Sequence, residues 1–542
     1  MDTQNIGSRF QISDLDDFLA PAQDCVVQLM TAKPTQNSQN ENKQGSVQIQ
    51  LETDLVDESS MTGGVRPDLI KKNKDNVATI SLSDCLACNG CVTTAETMLI
   101  QQHSTDKFEE LLKNCDKFPV VVSISQQSLY SLCVLYKTTP SKLFKVISIT
   151  LSSMGVSKIY DLSLSQQLVL SESYKEFNDK YKKGEKFAAI TEFLDTTKGM
   201  SEDQIETEAR EFKKKLAKIS SVPVLCSECP GWVCYAEKVV GDVAIPYMSV
   251  VKSPQQIQGY LLKKVSNKKL FTKDSEHTPN NIMHVCVMPW YDKKLEAVRP
   301  AGLIKASEDI SDETTLCEVD AVLATHELAD LFKKHDIDIE GLLETIDTVD
   351  RNSDNFDLDV AESQRESVSP FYSTDNTNQS SNGYSEYLFK RAAKEIFDKN
   401  IDNEILEYKQ CRNKDFNEVS LEIHGVPVMK FALAYGFRNI QNIIRNIKRK
   451  KWMYDYVEIM ACPGGCLNGG GQIKPKELNM TPADLLKSLI EVQKESLEII
   501  DPNNLEGLVS LYSDFEKEQL QKMITTAFNV IKSELSISNL KW

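Results

Sequence analysis

Histidine is scarce in this chain, six residues in 542, whereas cysteine is plentiful at fourteen. A protein holding zinc through mixed Cys/His sites needs more imidazole than this, so the imbalance favours all-thiolate metal sites. Positive charge is also short: 62 Lys and Arg face 79 Asp and Glu, a formal net charge of -17. Affinity for nucleic acid comes largely from basic side chains displacing counterions from phosphate, so this balance speaks against nucleic acid or an anionic membrane as partner. Long apolar runs are missing as well. The opening "MDTQNIGSRFQISDLDDFLAP" carries early acids and no signal-peptide core, and nothing later is apolar enough to span a bilayer. The expectation is a soluble cytoplasmic chain, with the nucleus as a second location. In such a reducing compartment, clustered cysteines read as metal ligands or catalytic thiols before disulfides.

With 41% hydrophobic and 26% charged residues, most of the chain is expected to fold, and its length calls for several compact units. Two polar stretches interrupt it: "TAKPTQNSQNENKQGS" after Met30, and an acidic, Ser/Asn-rich run over roughly 350–383. Elsewhere strand-like runs ("FPVVVSIS", "VSKIYDLSL", "SVPVLC", "IMHVCVMPW") alternate with helical ones ("SKLFKVISITLSSMG", "SPQQIQGYLLKKV", "YSEYLFKRAAKEIFDK"). That alternation predicts an α/β fold of parallel sheets flanked by helices. The run "KRKK" at 448–451 closes a predicted helix, where cations suit the helix dipole, and a nuclear-import reading is the weaker one.

"DCLACNGCVTTAE" sets Cys85, Cys88 and Cys91 in a Cys-x-x-Cys-x-x-Cys array, the opening of a ferredoxin-type cluster motif. The usual fourth position is Ala95, so a further ligand must come from elsewhere, and spacing alone leaves Cys25 and Cys115 both open. In "ACPGGCLNGGGQ", Cys462 and Cys466 stand among glycines that give a bulky cluster room to approach the backbone. Two thiolates are too few for a cluster. Other strand-end cysteines are Cys226, Cys229 and Cys234 in "VPVLCSECPGW" and Cys286 in "HVCVMPWYDKK", and loops at strand ends are where α/β folds place ligands. Cys133, Cys317 and Cys411 have ordinary surroundings.

"SECPGW", "MPWYDKKLEA" and "EIMACPGGCLNGGGQ", in that order, resemble the three cluster-binding motifs of the iron-only hydrogenase superfamily; "KSPQQ" at 252–256 matches a further segment. "LDDFLAPAQDC", "CLACNGCVTTAE", "CPGWVCYAEK", "NKDFNEV" and "AYGFRNIQN" resemble, more closely, its narf-like branch of cytosolic iron–sulfur protein assembly factors. The resemblance implies a hydrogenase-like α/β fold of two lobes with a small N-terminal cluster-binding segment. The expected divisions are 1–30, an N-terminal segment supplying a cluster ligand; 31–78, a polar linker; 79–117, a ferredoxin-like segment; 118–345, the first lobe region; 346–383, an insertion; 384–535, the second lobe region; and 536–542, a tail. It also implies two 4Fe-4S clusters, one on Cys25, Cys85, Cys88 and Cys91, the other on Cys229, Cys462, Cys466 and a cysteine of the second motif.

That last cysteine is absent, its place taken by Trp290. Cys286 is the candidate substitute. It shares a strand face with residue 290 but lies about 13 Å short of it, at roughly 3.3 Å per residue, so a bulge would be needed. Hydrogenase chemistry in the superfamily also uses a proton-relaying cysteine directly before the "CPGW" cysteine, where this chain has Glu228. The resemblance therefore implies a non-catalytic assembly factor that carries clusters toward apoproteins, with a scaffold of structural clusters and an active hydrogenase as alternatives. Its tail "SISNLKW" is similar to the Leu-x-Trp endings that dock onto a cytosolic targeting complex containing a WD40-repeat propeller protein, which makes Leu540 and Trp542 the partner-binding residues.

Overall fold

A computed structural model of the chain describes residues 71–72, 78–79, 100, 102–115, 117–219, 223–265, 282–299, 302–305, 315–349, 383–402, 404–411, 413–496 and 517–531. The chain divides into two compact units, Met1–Thr97 with Ser533–Trp542, and Met98–Lys532. In the first, a two-stranded antiparallel pair is described, β1 (Lys71–Lys72) with β2 (Ala78–Thr79). The second unit holds a two-stranded antiparallel pair, β7 (Leu303–Lys305) with β8 (Thr315–Cys317), and two larger sheets.

One is four-stranded and wholly parallel, in the order β4 (Lys158–Asp161), β3 (Val120–Ile124), β6 (Met283–Met288), β9 (Ala321–Ala324). All five residues of β3 are buried, as are the four of β9, because helices cover both faces of a parallel sheet and leave no solvent side to alternate toward. The helix Gln126–Tyr136 follows β3 and begins at Ser125, whose hydroxyl accepts the Ser128 N–H at 3.2 Å. The helix Thr325–Lys334 follows β9, with the Glu327 carboxylate accepting the Ala324 N–H at 2.7 Å.

The other sheet is mixed, ordered β10 (Lys409–Gln410), β11 (Phe416–Ile423), β12 (Val426–Tyr435), β13 (Tyr456–Met460), β5 (Val224–Cys226). β11 and β12 form a hairpin across His424 and Gly425, both at positive φ (51° and 70°), the conformation that a twisted two-residue hairpin turn requires. β12, β13 and β5 run parallel. The helix Phe437–Lys448 buries Ile440, Ile443, Ile444 and Ile447, spaced to line one face, and ends where the basic run starts. Thus β5, inside the 118–345 span, is hydrogen-bonded into the sheet whose other strands lie within 384–535. A strand of three apolar residues pairs with whichever neighbour matches its register, and chain order does not reveal that partner. No described helix is long and apolar enough to cross a membrane.

Candidate metal centre

The β5–β13 pairing builds one side of the site. Beyond the last strand residue, the Ser227 hydroxyl donates to the Ile459 carbonyl at 2.5 Å and accepts the Cys229 N–H at 3.0 Å, which pins the turn to the end of β13. Cys229 then caps the short helix Pro230–Tyr235. Its thiol is 5% exposed and accepts the backbone N–H groups of Trp232 and of Ala461, the neighbour of Cys462. Burial, reinforced by the charge of Asp292, pushes this thiol up to about 11, against the pull of those amides and of Lys293. It stays protonated at neutral pH until a metal takes the place of the proton.

After β13 the chain turns through Gly464 and Gly465, at φ 75° and 76°, a region that residues with a Cβ rarely enter. Cys466 opens the next turn, its Sγ 3.9 Å from Glu228 Oε1 and 3.8 Å from Met460 Sδ. Cys229 and Cys466 are therefore each in contact with the chain neighbour of another candidate ligand. Glu228 is 8% exposed, its Oε2 accepts the Tyr384 hydroxyl at 3.4 Å, and its carbonyl accepts Lys293 Nζ at 2.7 Å. Lys293 is buried. Burial works to lower its pKa, but the charges of Glu296, Glu228 and Cys466 outweigh that and raise it, so it stays a cation.

The parallel sheet builds the opposite side. The ends of β6 and β9 reach the glycine run: Gly471 N–H donates to the Pro289 carbonyl at 2.9 Å, and His326 N–H to the Gly471 carbonyl at 3.1 Å. A Cβ on Gly470 would overlap the six-membered ring of Trp290, and one on Gly469 would overlap the Pro289 carbonyl. The run Gly469–Gly471 thus makes room for Pro289 and Trp290. The glycines are expected from the sequence to make room for a cluster, and at Gly470 the room is filled by the Trp290 indole, a bulky residue visible in the facing motif. Leu467 and Gln472 carry the segment onward, the latter donating to the Gln127 carbonyl and accepting from Thr325. The carboxyl ends of both sheets meet on one segment, where α/β folds place ligands.

Cys286 is not brought to this site. β6 ends at Met288, so the alternation that aligned residues 286 and 290 stops before Pro289. The Cys286 thiol is fully buried with Leu162, Met288, Ala297, Val319 and Val322, 3.4 Å from His284 Nε2. Cys115 lies in the larger unit against Gly155. Cys25, Cys85, Cys88, Cys91, Leu540 and Trp542 lie outside the described residues.

Among the described residues no three His, Cys, Asp or Glu surround one point as a single ion requires. A cubane's ligands stand farther apart, at the corners of a larger body. Three soft thiol donors suit iron–sulfur chemistry, and the buried indole N–H groups of Trp232 and Trp290 have no protein acceptor, which cluster sulfides would supply. The donor set fits a 4Fe-4S cluster, one cysteine short.

Residues 192–470 match the family model "Iron only hydrogenase large subunit, C-terminal domain". Across 99% of both chains, the sequence is 37% identical to "Protein NAR1" of Arabidopsis thaliana. The chain belongs to the narf-like branch of the iron-only hydrogenase family. It is also 35% identical, over 98% of each chain, to the "Cytosolic Fe-S cluster assembly factor narfl" of Xenopus tropicalis. Its fold is that of apo FeFe-hydrogenase HydA1 from Chlamydomonas reinhardtii, with a TM-score of 0.55 at 19% identity, covering 79% of this chain and 99% of that one. Membership confirms the family and the α/β hydrogenase-like architecture expected from the three motifs.

Proposed function

We propose that this protein is a component of the cytosolic iron–sulfur protein assembly machinery, binding two 4Fe-4S clusters and helping deliver clusters to extramitochondrial apoproteins. What supports the reading is that Cys229 accepts the N–H of Ala461, next to Cys462, while Cys466 approaches Glu228, next to Cys229, in a chain similar over nearly its whole length to named assembly factors. Cys229, Cys462 and Cys466 hold one cluster, and Cys25, Cys85, Cys88 and Cys91 hold the other. Leu540 and Trp542 dock onto a targeting complex that includes a WD40-repeat propeller protein, in the cytoplasm with the nucleus as a second location.

The protein is not a hydrogenase in this reading. Glu228 and Trp290 stand where that chemistry resembles a site with two cysteines. A carboxylate can move a proton but does not supply a thiol. Each cluster contributes thiolate-bound iron, and this chain's residues hold, shield and orient it.

The test is anaerobic purification with iron and sulfide quantified. Cys462→Ala with Cys466→Ala removes one cluster's iron, and Cys85→Ala with Cys88→Ala removes the other's. Cluster transfer to an apoprotein is then followed by recovery of the recipient's activity. Hydrogen evolution from a reduced dye, or iron content unmoved by either pair, overturns the reading.

A further inference from the structure

We propose that Glu228 completes the second cluster, its carboxylate ligating the iron that has no cysteine. This rests on the reading that Cys229, Cys462 and Cys466 hold a cubane. Three observations support it. Glu228 directly precedes Cys229, is 8% exposed, and has Oε1 3.9 Å from Cys466 Sγ, so a carboxylate already stands beside one of the thiols. Its backbone is held by Lys293 Nζ on its carbonyl, Oε2 accepts the Tyr384 hydroxyl, and Oε1 is the oxygen on the Cys466 side. Of the other described cysteines nearby, Cys286 has its Sγ 3.4 Å from His284 Nε2, Cys226 is buried in the core beside Tyr456, and Cys234 is buried beside Arg299. The neighbouring carboxylate of Asp292 fills the space where Gly231 lacks a Cβ, at the start of the helix Pro230–Tyr235.

The chemistry is balanced. Ligation forms one iron–oxygen bond and displaces a solvent molecule from that iron, with no electron transferred. A carboxylate brings the same single negative charge as the thiolate it replaces, so the net charge of the ligated cluster is unchanged. It is a harder donor than sulfur, which makes that corner the most exchangeable of the four.

The test uses the full chain with Cys85, Cys88 and Cys91 replaced by Ala, so that the second cluster alone is observed, reconstituted anaerobically with ferrous iron and sulfide. Glu228→Gln, Glu228→Asp, Trp290→Cys and the Glu228→Gln/Trp290→Cys pair are compared by Mössbauer spectroscopy, by iron retention against a chelator, and by electron paramagnetic resonance after mild oxidation. Wild type is expected to show one iron distinct from the other three. Glu228→Gln should lose that signature and yield a three-iron signal on oxidation, with iron retention at the corner down roughly 10–100-fold, at least what losing an outer-sphere partner costs. Glu228→Asp keeps part of the signature, and Trp290→Cys restores a four-thiolate cluster in the Gln background.

Glu228→Gln spectra matching wild type overturn the proposal. So does a wild-type corner that takes up added small thiol as readily as the Gln variant does, which would mean an open corner. If Cys462→Ala with Cys466→Ala leaves the iron content of this chain unchanged, the three-cysteine reading itself has failed, a separate result.

Discussion

Gly470→Ala separates the two uses of the glycine run. The indole of Trp290 occupies the space a Cβ would need at Gly470, and Pro289 crowds Gly469 and Gly471 on either side, so neither partner can retreat freely. Overpacking of this kind costs about 1–3 kcal/mol. Expressed as a local opening equilibrium, that is a factor of roughly 5–150. The perturbation acts in the cluster-free protein, since both groups belong to the chain. The assay is amide hydrogen exchange of apo protein over the peptide covering 462–473, which reads opening of this segment without requiring that the whole chain unfold in one step. Faster exchange by that factor is expected in Gly470→Ala. In a Trp290→Cys background the same substitution should cost under about 0.5 kcal/mol, because the obstructing ring is gone. Equal costs in the two backgrounds, or loss of iron retention with unchanged apo exchange, would refute the packing account and return the glycines to the cluster.

Lys293→Met should destabilise by about 3–5 kcal/mol, since it strands the buried Glu296 carboxylate now 3.2 Å from Lys293 Nζ; the thermal midpoint of apo protein measures this, and Lys293→Met/Glu296→Gln recovers part. Burial, with a contribution from the charge of Glu228, raises the Glu458 carboxyl from its ordinary 4.5 to about 7, against the opposing donors Ser385 N–H and Tyr435 hydroxyl. The stability tied to its protonated form is full below pH 4.5 and is lost as pH rises through about 7. The difference in thermal midpoint between wild type and Glu458→Gln should therefore shift against wild type across that window and level off above it. His284, held neutral by burial with its pKa lowered to about 3, is common to both proteins and cancels. Removing residues 540–542 should abolish capture of a propeller-containing targeting complex while leaving iron and sulfide per chain unchanged; loss of both together would sink the docking role.

The layout of the fold was largely legible because its signals are local. The buried run "VVVSI" and the helix "FRNIQNIIRNIK" state their periodicity in a dozen residues or fewer, and both form as that periodicity requires. Sheet membership is not local. Val224–Cys226 joins β13 across 232 positions (456 − 224), and nothing in three apolar residues names that partner. The same limit governs the site. Cys462 and Cys466 stand out in the sequence as candidates, and the family motifs add Cys229 as the proposed third. The choice of Cys286 as a substitute rested on strand alternation continuing to residue 290, whereas the strand stops at Met288 and its register turns Cys286 toward His284. Glu228 was weighed as a proton carrier because of its motif position. Its approach to Cys466 depends on the pairing of β5 with β13 and was visible only once that pairing was known.

Replacing a thiolate by Trp290 changes how the two sheets are joined. A cysteine at the end of β6 would tie the parallel sheet to Cys229, Cys462 and Cys466 through the cluster, so losing iron would also loosen the junction. Trp290 makes the tie from protein alone: its ring lies on Gly470, the Pro289 carbonyl accepts Gly471 N–H, and Gln472 bonds both Gln127 and Thr325. Occupancy of the cluster and integrity of the junction are then separate. Chelating the iron should leave exchange of the 462–473 peptide within a few-fold of the loaded protein, whereas in Trp290→Cys removal of iron should accelerate it by an order of magnitude or more, each 1.4 kcal/mol of lost tether being tenfold. Similar acceleration in both proteins would show that the wild-type junction also depends on its cluster. Independence of this kind suits the proposed carrier role, in which the chain must survive the departure of the cluster.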